Sequence, residues 1–390
     1  MATADGTTLD ARTVGGRMSL LPSVLGWAGM TLASAGLYSF WMRTRLRRRL
    51  WSSVRLGGLP FEYDGTPSEK MAGLAIAAAV IGVWLGLVTM VLIWVSLHLF
   101  LDPTPGAAVS VGLLMPVYFA ARYRGLRYLT SRTRWRGIRF WMEPGWWGYG
   151  WRATLWTLAT AATAGLLLPL RARALWRYRA ERAHWGNAAF DYEPPGIGSL
   201  YVVFLPFVVV VIALGLGAAA ESIPGILFPL ALLPFAWAWW RLRAFNLLAS
   251  GLRLRRARLT VAARFWPVVR VHLLGWLAIG VVLLTLLFAF GVLGAATVPD
   301  IARIAVEEGN PLEGLPAYAV AAIVVLAYGA VFILRGALSI VFVAWPLIRH
   351  AASTAVVSDA GALDGVRHGE GARMADADGF ANLFDFGGGI

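Results

Sequence analysis

Blocks of about twenty consecutive apolar residues recur along the whole chain, and they constrain its fold more than any other feature. A stretch of that length matches the thickness of a bilayer when it is helical. Apolar residues make up 58% of the 390 residues and charged residues only 14%, whereas about a quarter of the residues in a soluble domain are charged. These values exclude ordinary cytosolic solubility and predict an integral membrane protein.

The apolar blocks define the candidate membrane segments. They are 20–41, 71–101, 106–121, 150–170, 198–219, 225–240, 269–296 and 316–348. Arg335 interrupts the last block, and the segment 336–348 that follows it is too short to span a bilayer alone. We therefore expect an interfacial continuation with Arg335 at the membrane surface. The alternative is that Arg335 is a buried functional charge.

The connections between these blocks differ in charge. The short connections 101–106, 220–224 and 297–315 are acidic, with Asp102, Glu221, Asp300, Glu307, Glu308 and Glu313. Four longer connections, 42–70, 122–146, 171–196 and 241–264, are strongly basic. The positive-inside bias of bacterial membrane proteins predicts that the basic connections lie in the cytoplasm and the acidic ones outside.

Arginine supplies nearly all of the positive charge. The net charge is +14, and Lys70 is the single lysine among 35 basic residues. Positive-inside topology accounts for much of this excess, but the guanidinium fork also binds phosphate. The candidate anion- or lipid-binding residues are Arg43, Arg45, Arg47, Arg48, Arg134, Arg139, Arg171, Arg173, Arg177 and Arg258. A nucleic-acid-binding protein would share the basic charge but not this much apolar sequence, so no nucleic-acid partner is predicted.

Each basic connection contains the same short pattern of a bulky apolar residue, two turn residues and then alternating apolar residues. This pattern predicts a β-hairpin with a two-residue turn. The turns are Gly57-Gly58, Arg136-Gly137, Gly186-Asn187 and Arg255-Arg256. The predicted hairpin core consists of Leu56, Phe61, Tyr63, Trp135, Phe140, Trp185, Phe190 and Tyr192. Such turns pair Leu56 with Leu59, Trp135 with Ile138 and Trp185 with Ala188.

The opposite faces of the hairpins differ in charge. Acidic residues follow the aromatic residue in the first and third hairpins, and Arg139 and Arg258 precede the equivalent residue in the second and fourth. We expect the first hairpin to lie beside the second and the third beside the fourth, with pairs such as Glu62 and Arg139.

The two halves of the chain resemble each other. Ala35-Gly36-Leu37 recurs in the second half as Ala164-Gly165-Leu166, and an internal copy argues against a signal-peptide cleavage site near residue 35. The predicted organisation is a first repeat at 1–146, a second repeat at 147–265, two additional spans at 266–350 and a flexible cytoplasmic tail at 351–390.

Only the block 150–170 separates the second hairpin from the third. If it crosses the membrane, the repeats have inverted topology, as in many transporters, and the arginines of the last two basic connections lie outside. If it breaks at Gly165 and Pro169 and re-enters, all four hairpins are cytoplasmic. We favour re-entry, also for 20–41, which gives six full spans with both termini inside.

The sequence shows little chemistry typical of an enzyme. No candidate span has Asp or Glu in its interior, the chain has no Cys, and its five His are scattered. Glu181 and His184 lie one helical turn apart, which more often marks a surface contact than an acid–base pair. No P-loop, zinc-protease or dinucleotide motif is present. We predict no enzymatic activity, no cofactor and no metal.

Several sequence blocks resemble the YjgN family of bacterial inner-membrane proteins. The blocks are 36–41, 43–48, 58–66, 131–140, 369–371, 380–386 and 389–390. The resemblance covers nearly the whole chain, although Arg255-Arg256 and Pro194-Pro195 depart from the family pattern. It implies a multi-pass inner-membrane protein and carries over no catalytic residue.

The predicted fold is an α-helical integral membrane protein with two tandem repeats of transmembrane or re-entrant helices and small cytoplasmic β-hairpins. The leading functional hypothesis is a pore or facilitator whose Arg-rich cytoplasmic vestibule selects anionic solutes or lipid headgroups. The alternative is a membrane scaffold that binds anionic lipid or a cytoplasmic partner, and a membrane lipid enzyme has least support. The expected partners are anionic membrane lipids, and a homo-oligomer is also compatible with the sequence.

Overall fold

The computed structural model describes residues 8–297 and 317–369, and within them ten short strands form a closed antiparallel β-barrel. The strands are β1 (Leu9–Thr13), β2 (Val54–Leu56), β3 (Leu59–Tyr63), β4 (Thr133–Trp135), β5 (Ile138–Met142), β6 (Ala183–Trp185), β7 (Ala188–Tyr192), β8 (Leu252–Leu254), β9 (Ala257–Val261) and β10 (Ala355–Ser358). Each strand pairs with its neighbours along the chain, and β10 pairs with β1 to close the circle.

The barrel shows that the predicted fold class, an α-helical protein with separate small hairpins, is wrong. The four hairpins exist, but they join edge to edge through the pairs β3–β4, β5–β6 and β7–β8. The strands β1 and β10 fill the remaining gap. An isolated two-stranded hairpin is marginally stable and leaves open edges, and closure into a barrel removes both problems.

The pairing within each hairpin follows the predicted register. The pairs are Leu56 with Leu59, Trp135 with Ile138, Trp185 with Ala188 and Leu254 with Ala257. The fourth turn has no glycine, and Arg255 adopts the left-handed conformation there with φ of 55°. The departure of Arg255-Arg256 from the family pattern therefore leaves the hairpin register intact.

Helices fill the connection between β1 and β2, the connections between successive hairpins and the connection between β9 and β10. They are α1 (Arg17–Ala33), α2 (Ser39–Ser53), α3 (Pro67–Val83), α4 (Met90–Phe100), α5 (Thr104–Ser131), α6 (Trp146–Ala162), α7 (Leu168–Ala180), α8 (Ile197–Ala219), α9 (Ile223–Ala249), α10 (Phe265–Thr297), α11 (Ala317–Ser339) and α12 (Trp345–Ala352). One π-helical turn, Trp84–Thr89, joins α3 to α4, and another, Ile340–Ala344, joins α11 to α12.

Among the described residues, six helical segments are long and apolar enough to cross a membrane. They are Ala77–Phe100, Thr104–Ser131, Ile197–Ala219, Ile223–Ala249, Phe265–Ala289 and Leu326–Ala352. Each overlaps one of the predicted apolar blocks. The number of membrane-length helices therefore agrees with the six full spans expected from the sequence.

The other two apolar blocks, 20–41 and 150–170, each turn sharply between two short helices. Ala164 and Gly165 have φ of 49° and 91° between α6 and α7, and Ala35 and Gly36 have almost the same values between α1 and α2. The chain therefore breaks at Gly165, as the re-entry hypothesis requires. One barrel contains all four hairpins, which is the arrangement that the re-entry hypothesis predicts.

The chain divides into two compact units. The first comprises Arg47–Phe265 together with residues 8–14 and 351–369, and it contains the whole barrel. The second comprises Gly15–Leu46 and Trp266–His350. In the second unit, Ile279 and Leu338 form a small core with Leu21, and the Arg335 guanidinium lies 4.7 Å from the centroid of the Trp276 ring.

The inner face of the barrel is apolar. Trp135, Trp185, Leu254 and neighbouring inward side chains form its core. A 3₁₀ turn, Ala360–Leu363, follows β10 and packs against this core, so part of the segment assigned to a flexible tail belongs to the barrel. The predicted tail motif 380–386 lies outside the described residues.

Candidate anion-binding collar

Arginine and aromatic side chains concentrate where the helices approach the barrel. Arg122, Arg171 and Arg241 each lie about three helical turns before the next strand of the chain. At a rise of about 1.5 Å per residue, these positions are about 16–18 Å from the barrel along their helices. The basic collar is the set Tyr118, Phe119, Arg122, Arg124, Trp146, Arg152, Arg171, Tyr178 and Arg182 on or beside α5, α6 and α7.

Two guanidinium groups of the collar lie against one tyrosine ring. The Cζ atoms of Arg182 and Arg152 are 3.7 Å and 5.0 Å from the centroid of the Tyr178 ring. The Tyr178 hydroxyl donates a hydrogen bond of 2.8 Å to the carbonyl oxygen of Gly145, which fixes the ring between α7 and the start of α6. Cation–π attraction offsets part of the repulsion between the two positive charges.

Arg171 is the most unusual cation of the collar. Its Cζ atom lies 5.8 Å from the centroid of the Phe119 ring, and its Nε atom is buried with no hydrogen-bond partner among the described residues. Burial lowers the pKa of the Arg171 guanidinium, Tyr149 opposes this shift, and the positive charge of Arg122 adds a smaller lowering. Arg171 is therefore a half-buried cation that is subject to the like charge of Arg122.

Carboxylates do not balance the charge of this region. The segment 122–182 contains thirteen arginines and two glutamates, and carboxylates from outside the segment pair only with its barrel arginines Arg134, Arg136 and Arg139 among the described ion pairs. Glu181 pairs with Arg177 at 2.6 Å, and Glu143 lies 3.5 Å from the His184 ring nitrogen Nε2. Several guanidinium groups stack on aromatic faces, and a stacked guanidinium keeps its in-plane N–H donors directed outward for a planar or tetrahedral anion.

The outer face of the barrel carries a second group of charges. Glu62 lies opposite Arg134, and Asp191 lies opposite Arg253, so the predicted pairing of acidic with basic hairpins is confirmed. The partner of Glu62 in the register is Arg134 and not Arg139. Asp64 accepts hydrogen bonds from both Arg134 and Arg139, at 2.6 Å and 3.2 Å.

Arg139 illustrates the electrostatic balance on this face. Burial lowers the pKa of its guanidinium, the neighbouring Arg134 lowers it further, and Asp64 opposes the shift. Since an arginine stays charged in proteins, the direction shows only that Arg139 lies in an unfavourable place for a cation. The Asp64 carboxylate therefore partly neutralises Arg134 on β4 and Arg139 on β5.

The structure disperses the ten arginines predicted as anion-binding residues. Arg43 and Arg45 belong to the second unit, where Arg45 contacts the ring and hydroxyl of Tyr38. The other eight belong to the first unit. Of these, Arg134, Arg139 and Arg258 lie on barrel strands, Arg47 and Arg48 on α2, and Arg171, Arg173 and Arg177 on α7.

Several of these arginines are held by the protein itself. Arg48 donates to the carbonyl oxygen of Gly65 at 3.0 Å, Arg173 donates to that of Pro195 at 3.1 Å, and Arg177 pairs with Glu181. They therefore hold neighbouring segments together. Arg171 remains as the predicted residue with the clearest capacity for an external anion.

Sequence reasoning missed Arg122, Arg152 and Arg182 as partners of Arg171 and Tyr178. Arg152 carried a usable signal, because it is the only charged residue in the apolar block 150–170. Arg122 and Arg182 carried none, since their proximity to other collar residues depends on how α5, α6 and α7 pack. Among the described residues, no group of three or more His, Cys, Asp or Glu side chains is placed to hold a metal ion.

The fold and the collar together define a class of protein in which helices of membrane length connect the strands of a closed ten-stranded barrel. A family model described as a bacterial protein of unknown function (DUF898) matches residues 29–382. The chain therefore belongs to this family, which is the YjgN family that the sequence blocks resemble. No curated protein and no solved structure matches the chain.

Proposed function

We propose that this protein is a multi-pass bacterial inner-membrane protein that binds anionic phospholipid headgroups at the basic collar. The observation that carries the proposal is Arg171. Its guanidinium is half-buried beside Phe119 and subject to the like charge of Arg122, and its Nε atom has no partner among the described residues. A phosphate oxygen between the two guanidinium groups would neutralise both charges and accept their hydrogen bonds.

The depth of the collar supports a lipid phosphate as the anion. Arg122 lies about five helical turns after the distal end of α5 at Thr104, and Arg241 lies equally far after the distal end of α9 at Ile223. Both helical distances are about 27 Å, close to the hydrocarbon thickness of about 30 Å. The first arginines of these helices therefore reach the headgroup level when the apolar part spans the bilayer.

The charge distribution supports an orientation with the barrel in the cytoplasm. The four basic connections, which contain the barrel hairpins, hold most of the arginines, whereas the distal turns contain Asp102 and Glu221. The translocon bias keeps arginine-rich segments inside, and the inner leaflet is rich in anionic lipid. Both arguments support a collar that faces the leaflet richest in the proposed ligand.

The pore hypothesis has less support than lipid binding. A route along the barrel axis meets Leu363 and Val366, which pack against Trp135 and Trp185 at the turn end of the barrel. Transport would need a route between the helices instead. Lipid binding requires no such route and no catalytic group.

The test measures stabilisation of the purified full-length protein by added lipid. Phosphatidylglycerol is compared with phosphatidylcholine, for the unaltered protein, Arg171→Gln and the matched control Arg177→Gln on the same helix. Arg177 already pairs with Glu181, so its loss leaves the collar unchanged. Removing charged hydrogen bonds of about 1.5–3 kcal/mol predicts a phosphatidylglycerol affinity about 10- to 100-fold weaker for Arg171→Gln.

Two outcomes would contradict the proposal. One is equal stabilisation by phosphatidylglycerol and phosphatidylcholine in the unaltered protein. The other is equal loss of affinity in Arg171→Gln and Arg177→Gln, which would indicate a general charge effect in place of a site.

A further inference from the structure

The helical hairpin formed by α6 and α7 turns back beside the barrel end of α8. The Tyr201 hydroxyl donates a hydrogen bond of 3.1 Å to the carbonyl oxygen of Leu166, which lies in the turn between α6 and α7. Tyr201 is the fifth residue of α8, and the 23 residues of α8 are long and apolar enough to cross a membrane. At a rise of about 1.5 Å per residue, about 27 Å of α8 continues beyond Tyr201 to Ala219. The hairpin therefore ends well before the distal end of α8.

The packing of α7 shows the same limited depth. Leu168, Ala172 and Trp176 of α7 pack against a core on the two neighbouring helices. The core residues lie in the barrel-side halves of α8 and α9, and they are Leu200, Phe204, Trp240, Ala244 and Leu248. In the distal half of α8, Val209 and Leu216 are more than half exposed. The hairpin therefore contributes helices to the barrel-side half of the membrane thickness.

The turn of this hairpin pairs its backbone N–H groups internally. The Gly165 nitrogen donates to the carbonyl oxygen of Thr160 at 2.7 Å. The Leu166 nitrogen donates to that of Thr163 at 3.0 Å, and the Thr163 hydroxyl accepts a hydrogen bond of 3.3 Å from the Leu167 nitrogen. Backbone groups in hydrocarbon need internal partners, because no water is present there. The turn is therefore suited to hydrocarbon, and its Leu166 side chain is 52% exposed.

The hairpin formed by α1 and α2 has the same turn. The Gly36 nitrogen donates to the carbonyl oxygen of Thr31 at 2.8 Å. The Ser34 hydroxyl accepts a hydrogen bond of 2.9 Å from the Tyr38 nitrogen, and Leu37 in this turn is 61% exposed. Each hairpin follows one barrel strand and precedes the next, which are β1 and β2 for α1–α2 and β5 and β6 for α6–α7. Both hairpins therefore begin and end on the barrel side of the membrane.

We propose that the two hairpins are wedges in the barrel-side leaflet, and that the protein concentrates in membrane whose barrel-side leaflet is convex. Each hairpin adds the cross-section of two helices, each about 10–12 Å wide, to this leaflet and none to the opposite one. Insertion into a single leaflet is sensitive to curvature, because a convex leaflet spreads its headgroups and makes room for the inserted segment. The partner is thus a curved lipid surface. The wedge requires no anionic headgroup, so it stands whether or not the collar binds phosphate.

The test measures the density of the protein on a thin tube that is pulled outward from a giant phosphatidylcholine vesicle. The full-length protein carries Arg55→Cys, a substitution at an exposed position of β2. An impermeant fluorescent maleimide added outside labels the molecules whose barrel faces outward, since the chain has no other cysteine. For these molecules the barrel-side leaflet is the convex one in the tube. We expect the ratio of protein to lipid fluorescence to be about twofold higher on the tube than on the vesicle.

The variant that removes the wedge combines Leu37→Glu with Leu166→Glu, which places a charge in each apolar turn. It should lower the enrichment on the tube to about one, because a charge in hydrocarbon is costly. Its matched control combines Leu101→Glu with Ile223→Glu, because these exposed apolar residues lie in or beside the distal turns. The control should keep the enrichment. Leu37→Ser combined with Leu166→Ser is the milder variant if the glutamates prevent folding, and it should lower the enrichment in part.

Three results would overturn the proposal. One is equal density on the tube and on the vesicle for the protein with unaltered turns. Another is the same ratio in the turn variant and in its control. The third is labelling of a single Leu166→Cys by the impermeant reagent, which would place the turn in water. The vesicles contain no anionic lipid, so failure of the wedge and failure of the collar are distinguishable.

Discussion

Trp135 and Trp185 belong to different hairpins, and their ring centroids are 5.0 Å apart inside the barrel. Each occupies the end of a short strand, and Phe140 on the strand between them stacks on Trp185 at 6.0 Å. The Trp185 Nε1 group donates to the carbonyl oxygen of Ile138 at 3.2 Å. The aromatic contact therefore joins the second hairpin to the third inside the barrel.

Trp185→Ala is expected to destabilise the protein more than any other single change at the barrel core. Truncation of a fully buried tryptophan costs about 3–5 kcal/mol. The measurement is the free energy of unfolding by denaturant, with near-ultraviolet circular dichroism reporting the aromatic cluster. Trp147→Ala is the control, because Trp147 is 46% exposed. An effect of Trp185→Ala no larger than that of the control would contradict the barrel core described above.

Asp64 and Arg139 should be energetically coupled, and Glu62 and Arg139 should not. Asp64 accepts a hydrogen bond from Arg139, whereas Glu62 faces Arg134. The Asp64 side chain is half-exposed, so we expect a coupling energy of only about 0.5–1 kcal/mol that falls at high salt. Double-mutant cycles with Asp64→Asn, Glu62→Gln and Arg139→Gln measure both values. Stronger coupling for Glu62 would show that the outer-face register is wrong.

The 3₁₀ turn after β10 should contribute to barrel stability. Leu363 is 5% exposed and packs against the tryptophan cluster, so Leu363→Ala should cost about 2–4 kcal/mol. Arg136→Gln breaks the partly exposed pair with Asp364 and the contact of the guanidinium with the Trp135 ring at 4.7 Å, and it should cost about 1–2 kcal/mol. Thermal unfolding of the two variants compares the contributions. If both variants unfolded at nearly the same temperature as the unaltered protein, the 3₁₀ turn would contact the barrel without stabilising it.

Tyr192 gives the barrel a dependence on alkaline pH. Burial raises the pKa of its phenol to about 12, against the opposing charges of Arg173 and Arg179. The usual value is about 10. The folded state thus favours the neutral phenol, and this contribution is complete below about pH 10 and is lost as the pH rises through about 12. Tyr192→Phe should lose less stability than the unaltered protein over this interval. If both proteins lost the same free energy of unfolding over this pH interval, Tyr192 would not be the titrating group.

The sequence predicted the local structure well. Alternating apolar residues identified the four hairpins and their turns, and apolar blocks identified the membrane-length helices. The recurrence of Ala35-Gly36 at Ala164-Gly165 identified both breaks, because a left-handed residue followed by glycine turns the chain sharply. These features depend on residues close together in the chain, and their physical signals are local.

The barrel itself was not predictable from such signals. β10 has four residues and β1 has five, and neither shows a strong alternating pattern. Their pairing joins the two ends of the chain, and nothing local encodes that contact. The proximity of Arg171 to Arg122 likewise depends on the packing of helices. Sequence reasoning therefore identified Arg171 as a cation but not the second arginine beside it.

A single barrel requires all four hairpins to lie on one side of the membrane, and thiol accessibility in intact cells measures this arrangement. The chain has no cysteine, so Arg55→Cys on β2 and Ala189→Cys on β7 introduce single exposed thiols on distant hairpins. Leu101→Cys and Glu221→Cys place matched thiols at the distal turns. In intact cells, an impermeant thiol reagent should label the two distal positions and neither barrel position. Labelling of Ala189→Cys while Arg55→Cys stays protected would contradict the account.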